Sequence, residues 1–420
     1  MNIESTETSL TCVWCGKTAQ EGKVRCPACE GSLEVVYDYR KISQRYQGKL
    51  PTIKGAEGIW KYSPLLPLRS PANCVSLGEG SSPYHRIQKI GSELGMSNLF
   101  VKDESRNPTC SFKDRKSAVA ISKAIEDGYG RVVAATAGNA GSSVAAYAAK
   151  GGIESYIFAF QGISRAKLAK LLAYRANVFL TSASTGDVLE FTSKVCDRYN
   201  LQNCSAASRY NPYVKEGAKT SVFEMYEQGE NSLPDWIILP VGGGGNISSY
   251  FKGLKELKTL GLIEKYPRLV GVQASGCAPV ADAFNRKLDP RNIPKVKNPK
   301  TIAHSILDDW APDGDIALVS LKETNGLAVT VTDEEIISAT KELSGVEAIY
   351  AEPSSVTTLA ALKKLLSDRV VGKDEKVALV ITGFGLNQPD ATIDNSAPAT
   401  NLTNLDVELF GQYLTKVPAA

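Results

Sequence analysis

Histidine is nearly absent: the 420 residues hold two, His85 and His304. That argues against a histidine triad or a histidine metal cluster, and both read as structural or surface groups. Long apolar runs are missing too. No stretch reaches the roughly 18 to 20 apolar residues that a spanning helix requires, and Met1 to Leu10 carries neither the basic nor the apolar region of a secretory leader. A cytoplasmic protein with no membrane partner is therefore expected. Charge of one sign is not in excess: 48 basic and 45 acidic residues leave +3, which argues against nucleic acid as the principal partner. Nine cysteines are too few for a disulfide framework. What is present is ordinary globular composition, 43% hydrophobic and 22% charged, in a chain long enough for two or three domains with their own cores.

The first fifty residues stand apart. Cys12 and Cys15 form one Cys-x-x-Cys, Cys26 and Cys29 a second, with ten residues between the pairs and Gly16 and Pro27 as turn formers. Two such knuckles can close a tetrahedral four-sulfur site of the kind zinc favours. The same residues also suit four reduced thiols in a small hairpin, and a metal here would be structural, because no coordination position is left open. Cys74, Cys196, Cys204 and Cys277 read as reduced thiols and Cys110 as a small packing residue.

From about residue 98 a strand, a Gly-rich turn and a helix recur. Residues 131–135 predict a buried strand, Thr136 to Gly141 a turn, and Ser142 to Lys150 an Ala-rich helix stopped by Gly151-Gly152. Residues 236–240, 241–245 and 247–257 repeat the pattern, and further strands are predicted at 155–160, 177–181, 269–273 and 377–382. This alternation means crossover-linked parallel strands with helices on both faces, an α/β, doubly wound class. After Asp390 an extended linker is expected, then a short amphipathic helix around Asp406 to Lys416.

Ligands of such sheets bind outside the carboxyl ends of the strands, so the loops after strands carry the chemistry. In Asn107 to Arg115, Lys113 stands at a predicted helix start, where the dipole and partial desolvation favour a free amine suited to Schiff-base chemistry. Alone, a lysine beside Asp114 and Arg115 reads more readily as solvated surface. Thr136 to Ser143 offers glycines and a helix N-terminus to an anion. Gly242-Gly243-Gly244-Gly245-Asn246 lies between a strand and a helix, a nest suited to phosphate, and is neither a Walker loop nor a dinucleotide fingerprint. A flexible connector is its plainer reading. Val380 to Leu386 ends a strand with Thr382 and two glycines.

Taken together these pieces resemble the fold-type II pyridoxal-phosphate enzymes, and within them the threonine synthase family. The resemblance spans the ribbon, Leu77 to Pro83, Lys102-Asp103-Glu104, Asn107 to Arg115, Gly138-Asn139-Ala140, Glu216 to Thr220 and Pro240 to Asn246. It implies a tryptophan synthase β-like fold: a ribbon over 1–48, a smaller α/β domain over 98–215 carrying Lys113 and Asn139, and a larger one from 49–97 and 216–420 carrying the glycine loop and Thr382. The cofactor, pyridoxal 5′-phosphate, would lie in the cleft. The resemblance makes Lys113 the Schiff-base lysine and general base, and Asn139 the contact of the cofactor's 3′-oxygen. It makes Gly242, Gly243, Gly244, Gly245 and Asn246 the phosphate cradle, and Thr382 the partner of the pyridine nitrogen. Thr136, Ala137, Gly138 and Ala140 would hold the substrate carboxylate. A homo-oligomer is implied as well.

Departures from the family bear on substrate. Cys110 and Lys116 stand where the family has glycine, and Phe384, Asn387 and Gln388 where it has His, Lys and Asp. These changes resemble the cysteate synthase branch, in which O-phospho-L-serine and sulfite give L-cysteate and phosphate for coenzyme M. Lys116 then becomes a candidate for the anionic reactants. Arg165, Lys167, Lys170, Lys215 and Lys219 are further candidates, although lysines on such helices are mostly solvated. The alternative is threonine synthase proper, O-phospho-L-homoserine and water giving L-threonine. Dehydratases and sulfide-using cysteine synthases share the loops but usually lack the ribbon.

Overall fold

The computed structural model describes residues 8–136 and 138–399. Its strands are β1 (Thr8–Cys12), β2 (Thr18–Ala19), β3 (Leu33–Tyr37), β4 (Tyr84–Arg86), β5 (Leu99–Asp103), β6 (Arg131–Thr136), β7 (Glu154–Phe160), β8 (Asn177–Thr181), β9 (Gln202–Asn203), β10 (Trp236–Pro240), β11 (Arg268–Ala274), β12 (Leu327–Val331) and β13 (Val377–Ile381). They form three sheets, ordered β2-β1-β3, β12-β11-β10-β13-β5-β4 and β8-β7-β6-β9.

The first sheet is antiparallel. Side chains of β3 alternate between fully and partly buried, as expected of a strand with one face on a core. That face docks on the body: Lys252 Nζ donates to the Val35 carbonyl at 2.6 Å and Tyr37 Oη to Glu216 at 2.7 Å.

The other two sheets are parallel apart from the antiparallel edge strand β4. Central strands β10 (WIILP) and β13 (VALVI) are buried at every residue, the continuous apolar pattern of strands covered on both faces. Strand β5 lies in the segment 98–215, yet it pairs with β13, from Leu99 opposite Val377 to Asp103 opposite Ile381. The smaller sheet therefore starts at β6. After Pro389 the chain makes a helical turn, Asp390–Ile393, where an extended linker is expected. Ile393 N–H donates to the Pro389 carbonyl and Tyr350 Oη to Thr392, which fold this stretch back on the body. The helix expected around 406–416 lies outside the described residues, none of which form a helix long and apolar enough to cross a membrane.

Candidate active site

Strand order reverses twice, and both reversals face one cavity. In the smaller sheet β6 lies between β7 and β9; in the larger, β10 lies between β11 and β13. Loops leaving the carboxyl ends of neighbouring strands diverge at such points and open a crevice. The crevice here holds about 970 Å³ including its mouth, and Lys113, Lys116, Thr136, Gly138, Asn139, Ala140, Gly242 to Asn246 and Thr382 line it. Residues from four separate sequence motifs are thus brought together. Ala137 lies outside the described residues.

Lys113 is the first residue of the helix Lys113–Glu126. Burial of its ammonium pushes its pKa below the usual lysine value, partly opposed by Asp308, Asp313 and Glu352. The helix start is tied to the end of β13: Phe112 N–H donates to the Thr382 carbonyl at 3.0 Å, and Phe384 N–H to the Cys110 carbonyl at 3.0 Å. Cys110 sits at φ +66°, a left-handed conformation that only glycine adopts without strain. Behind the lysine, Asp114 takes Thr109 Oγ1 and Ser143 Oγ at 2.6 Å each, and burial raises its pKa to about 6.

The loop after β6 is wound around Thr136, whose Oγ1 accepts from the N–H groups of Gly138 and Gly141 at 2.8 and 2.9 Å. Gly138 has φ +138°, and Asn139 begins the helix Asn139–Gly151. Asn139 Nδ2 donates to Glu352 Oε2 at 2.6 Å. On the opposite wall, Thr382 Oγ1 lies 3.0 Å from Ser355 Oγ.

The glycine loop runs from β10 into the helix Gly245–Thr259, with Gly244 at φ +93°. Side chains have no room here. A Cβ on Gly242 would come within 2.5 Å of Asp308 Oδ2, and one on Gly245 within 2.7 Å of Asp313 Oδ2 and 2.9 Å of Lys116 Nζ. Lys116 Nζ donates to the carbonyls of Ala206 and Gly245 at 3.2 Å each. Among the described residues no carboxylate comes within ion-pair distance of it, and burial lowers its pKa to about 7. Asp313 is occupied by Ser208 and the Arg209 N–H. Burial raises the pKa of Asp308 to about 6.

Pyridoxal phosphate fits this donor set on three observations. An amine of depressed pKa stands at one wall. The loop opposite is bare of side chains at a helix start, where unpaired N–H groups attract phosphate. Asn246, 8% exposed, leaves both amide atoms without a hydrogen-bond partner among the described residues, a cost a ligand would relieve.

Sequence reading missed Asp308 and Asp313, which line the cavity, and Glu352 and Ser355, which bond the lining residues Asn139 and Thr382. Glu352-Pro353-Ser354-Ser355 carries a weak signal, an acid before proline at a helix start. The expectation that lysines on the helices are solvated is overturned for three. Lys167 is 2% exposed and pairs with Glu352 at 2.9 Å. Lys219 is fully buried between Glu216 and Glu256, and Lys215 is 1% exposed. Neither Lys215 nor Lys219 lines the cavity, because the ribbon covers that side. Lys170 donates to the Thr109 carbonyl and to Asn387, and Arg165 is exposed.

The four ribbon cysteines bring their Sγ atoms within 4.8 Å of one another. The closest separations are 3.5 and 3.6 Å, near the ~3.8 Å edge of a tetrahedron with metal–sulfur bonds of about 2.3 Å. Trp14 and Ala28 N–H groups point at Cys12 and Cys26 Sγ at 3.4 Å, as suits thiolate acceptors. The set fits a structural zinc.

Residues 75–383 match the family described as pyridoxal-phosphate dependent enzyme. The chain is 37% identical over 386 residues to a threonine synthase of Methanocaldococcus jannaschii, covering 91% of this chain and 93% of that one. It is 36% identical over 411 residues to a threonine synthase of Methanosarcina acetivorans, covering 96% and 99%. Among solved structures, a fungal L-serine ammonia-lyase from Rhizomucor miehei superposes with a TM-score of 0.63 at 18% identity over 75% of this chain and 97% of that one, a likeness of fold.

Proposed function

Because this chain belongs to the family of pyridoxal-phosphate-dependent enzymes, we propose that it eliminates the phosphate of an O-phospho-L-amino acid and adds a second nucleophile to the carbon skeleton left behind. The convergence of Lys113, Asn139, the glycine loop and Thr382 on one cavity supports this reading. When bound, the cofactor supplies an electron sink that makes the substrate α-proton removable. Lys113 would hold its aldehyde carbon, the N–H groups of Gly242 to Asn246 its phosphate, Asn139 its ring oxygen and Thr382 its ring nitrogen.

The remaining work falls to the protein's own groups. Lys113 Nζ, its ammonium form disfavoured by burial, takes the proton from the substrate α-carbon and later returns one. In the Thr136–Ala140 loop, the N–H groups of Asn139 and Ala140 at the helix start would face the substrate carboxylate. Fixed N–H donors and Lys116 stabilise the departing phosphate in a cavity where water would do so less well.

Two reactant pairs divide the readings. The names of the relatives support O-phospho-L-homoserine and water, giving L-threonine, and on similarity alone this reading is the better supported. The cavity itself favours O-phospho-L-serine and sulfite, giving L-cysteate. Lys116 carries that second reading: a buried amine, cationic below about pH 7 and without a carboxylate partner among the described residues, placed beside the glycine loop, matches a reaction that accommodates two anions in succession. The test is phosphate release by the cofactor-loaded protein from each phosphoamino acid, with and without sulfite, and mass spectrometry of the products. Cysteate from phosphoserine only when sulfite is present supports the sulfite reading. Threonine from phosphohomoserine, with no cysteate, overturns it in favour of the other.

A further inference from the structure

Asn139 and Thr382 are held from one place. The helix Pro353–Ser367 begins just after Glu352. Glu352 Oε2 accepts from Asn139 Nδ2 at 2.6 Å. Three residues on, Ser355 Oγ meets Thr382 Oγ1 at 3.0 Å and accepts from the N–H groups of Thr382 and Gly383 at 3.0 and 2.9 Å. Asn139 follows a strand of the smaller sheet and Thr382 one of the larger, so a single helix start braces both walls.

Glu352 is 1% exposed, and its second oxygen accepts from Lys167 Nζ at 2.9 Å. Ser305 closes the group, accepting from Lys167 at 3.0 Å and donating to Glu352 at 3.2 Å. Two glycines make room for it. A Cβ on Gly383 would overlap Glu352 Oε2, and one on Gly138 would overlap the Lys167 stem.

We propose that Glu352, with Lys167 as its counter-charge, is a positioning residue that fixes the Asn139 amide with its nitrogen facing the cofactor's ring oxygen. The inference rests on the reading of Asn139 as the contact of that oxygen. A carboxylate only accepts hydrogen bonds, so it selects the nitrogen edge of the amide; Nδ2 also lies 3.4 Å from Ser305 Oγ, a long contact that the cofactor's ring oxygen would replace. Reversed, the amide would set its own oxygen against both the carboxylate and the ring oxygen. Lys167 is needed because a buried carboxylate stripped of its partner is strongly unfavourable.

The experiment uses the full chain and measures pyridoxal-phosphate affinity by equilibrium dialysis, the visible spectrum of the loaded protein, and thermal unfolding. The proteins are wild type, Asn139→Ala, Glu352→Gln, Lys167→Met, Lys167→Arg and the double variant Asn139→Ala/Glu352→Gln. Glu352→Gln and Lys167→Met are expected to weaken cofactor binding about tenfold, the size of losing one charged hydrogen bond, and to shift the visible band. Lys167→Arg is expected to restore most of the affinity. The double variant is expected to bind no more weakly than Asn139→Ala alone, because Glu352 acts through Asn139. Wild-type affinity and spectrum in Glu352→Gln, or losses that add in the double variant, overturn the inference. Should Glu352→Gln not fold, the Lys167→Met and Lys167→Arg pair decides: equal affinities overturn the inference and rescue by arginine supports it. A wild type that takes up no cofactor overturns the reading of the cavity itself, an outcome distinct from variants that match a cofactor-binding wild type.

Discussion

Trp14 Nε1 donates to Asp315 Oδ2 at 2.9 Å, joining residues 301 positions apart. Trp14 lies within the first cysteine knuckle, and Asp315 lies two residues beyond Asp313, whose N–H donates to the Gly243 carbonyl at 2.8 Å. The cysteine cluster is therefore two short steps from the glycine loop. Arg291 adds its guanidinium over the Trp14 ring at 5.6 Å.

From this follows the first prediction. The purified protein is expected to hold one zinc per chain by atomic emission, and Cys29→Ser to lose it together with several degrees of thermal stability, because metal binding to a small ribbon is folding energy. A metal-free protein whose unfolding temperature is unmoved by Cys29→Ser would show that four thiols suffice.

Lys113→Ala is expected to abolish the visible absorbance of the loaded protein and to reduce turnover by at least about a thousandfold, as removal of a covalent and proton-transferring group does. Retained turnover in the purified variant would remove Lys113 from the chemistry.

Gly244→Ala tests the cradle. Gly244 has φ +93°, and a Cβ there would lie 2.6 Å from the Asp313 carbonyl oxygen. The strain, on the order of 1–3 kcal/mol, falls on the loop that would hold phosphate. Cofactor affinity, read by absorbance titration, is expected to drop at least about tenfold; an unchanged affinity would place the phosphate elsewhere.

Cys110→Gly tests the bland reading of that cysteine. At φ +66° glycine relieves about 1–2 kcal/mol of left-handed strain against a backbone entropy cost of about 0.5–1 kcal/mol. Unfolding in urea is expected to show stability unchanged or raised by up to about 1 kcal/mol, with cofactor binding retained. A loss above about 1 kcal/mol would mean the thiol packs or bonds in a way that outweighs the strain.

Asn139 and Gly242 to Asn246 are legible in the sequence because each belongs to a contiguous pattern of strand, glycine and helix start, whereas Lys113, with no glycine between it and its strand, stands out only through the resemblance of the motifs taken together. Glu352 and Ser355 are legible in neither way. An acid, a proline and two serines open any helix, and only the placement of β13 between β10 and β5 brings this one against Asn139 and Thr382. Nor can periodicity report the burial of Lys167 and Lys219, which depends on carboxylates distant in sequence, Glu352 and Glu256. The polar residues Lys102 and Asp103 likewise disguise β5 as the edge of a smaller unit, although Lys102 is fully buried against Glu224 at 2.8 Å.

Lys116 makes a prediction whose sign depends on pH. Burial lowers its pKa from 10.5 to about 7. Between those values the unfolded chain binds a proton that the folded cofactor-free chain does not, so this group makes stability rise with pH across that window. Below about pH 7 the cost of burying the charge is complete, on the order of 5 kcal/mol. Lys116→Met is accordingly expected to be more stable than wild type at pH 6, with the gap closing toward pH 10, in thermal or urea unfolding of the cofactor-free protein. Anion binding runs the other way. The charge that destabilises the empty cavity below about pH 7 attracts inorganic phosphate or sulfite there, so wild type is expected to gain affinity for these anions as pH falls and Lys116→Met to lose most of that gain. A stability gap independent of pH would mean that Lys116 keeps its proton throughout, and anion affinities equal in the two proteins would remove it from the reactants' path.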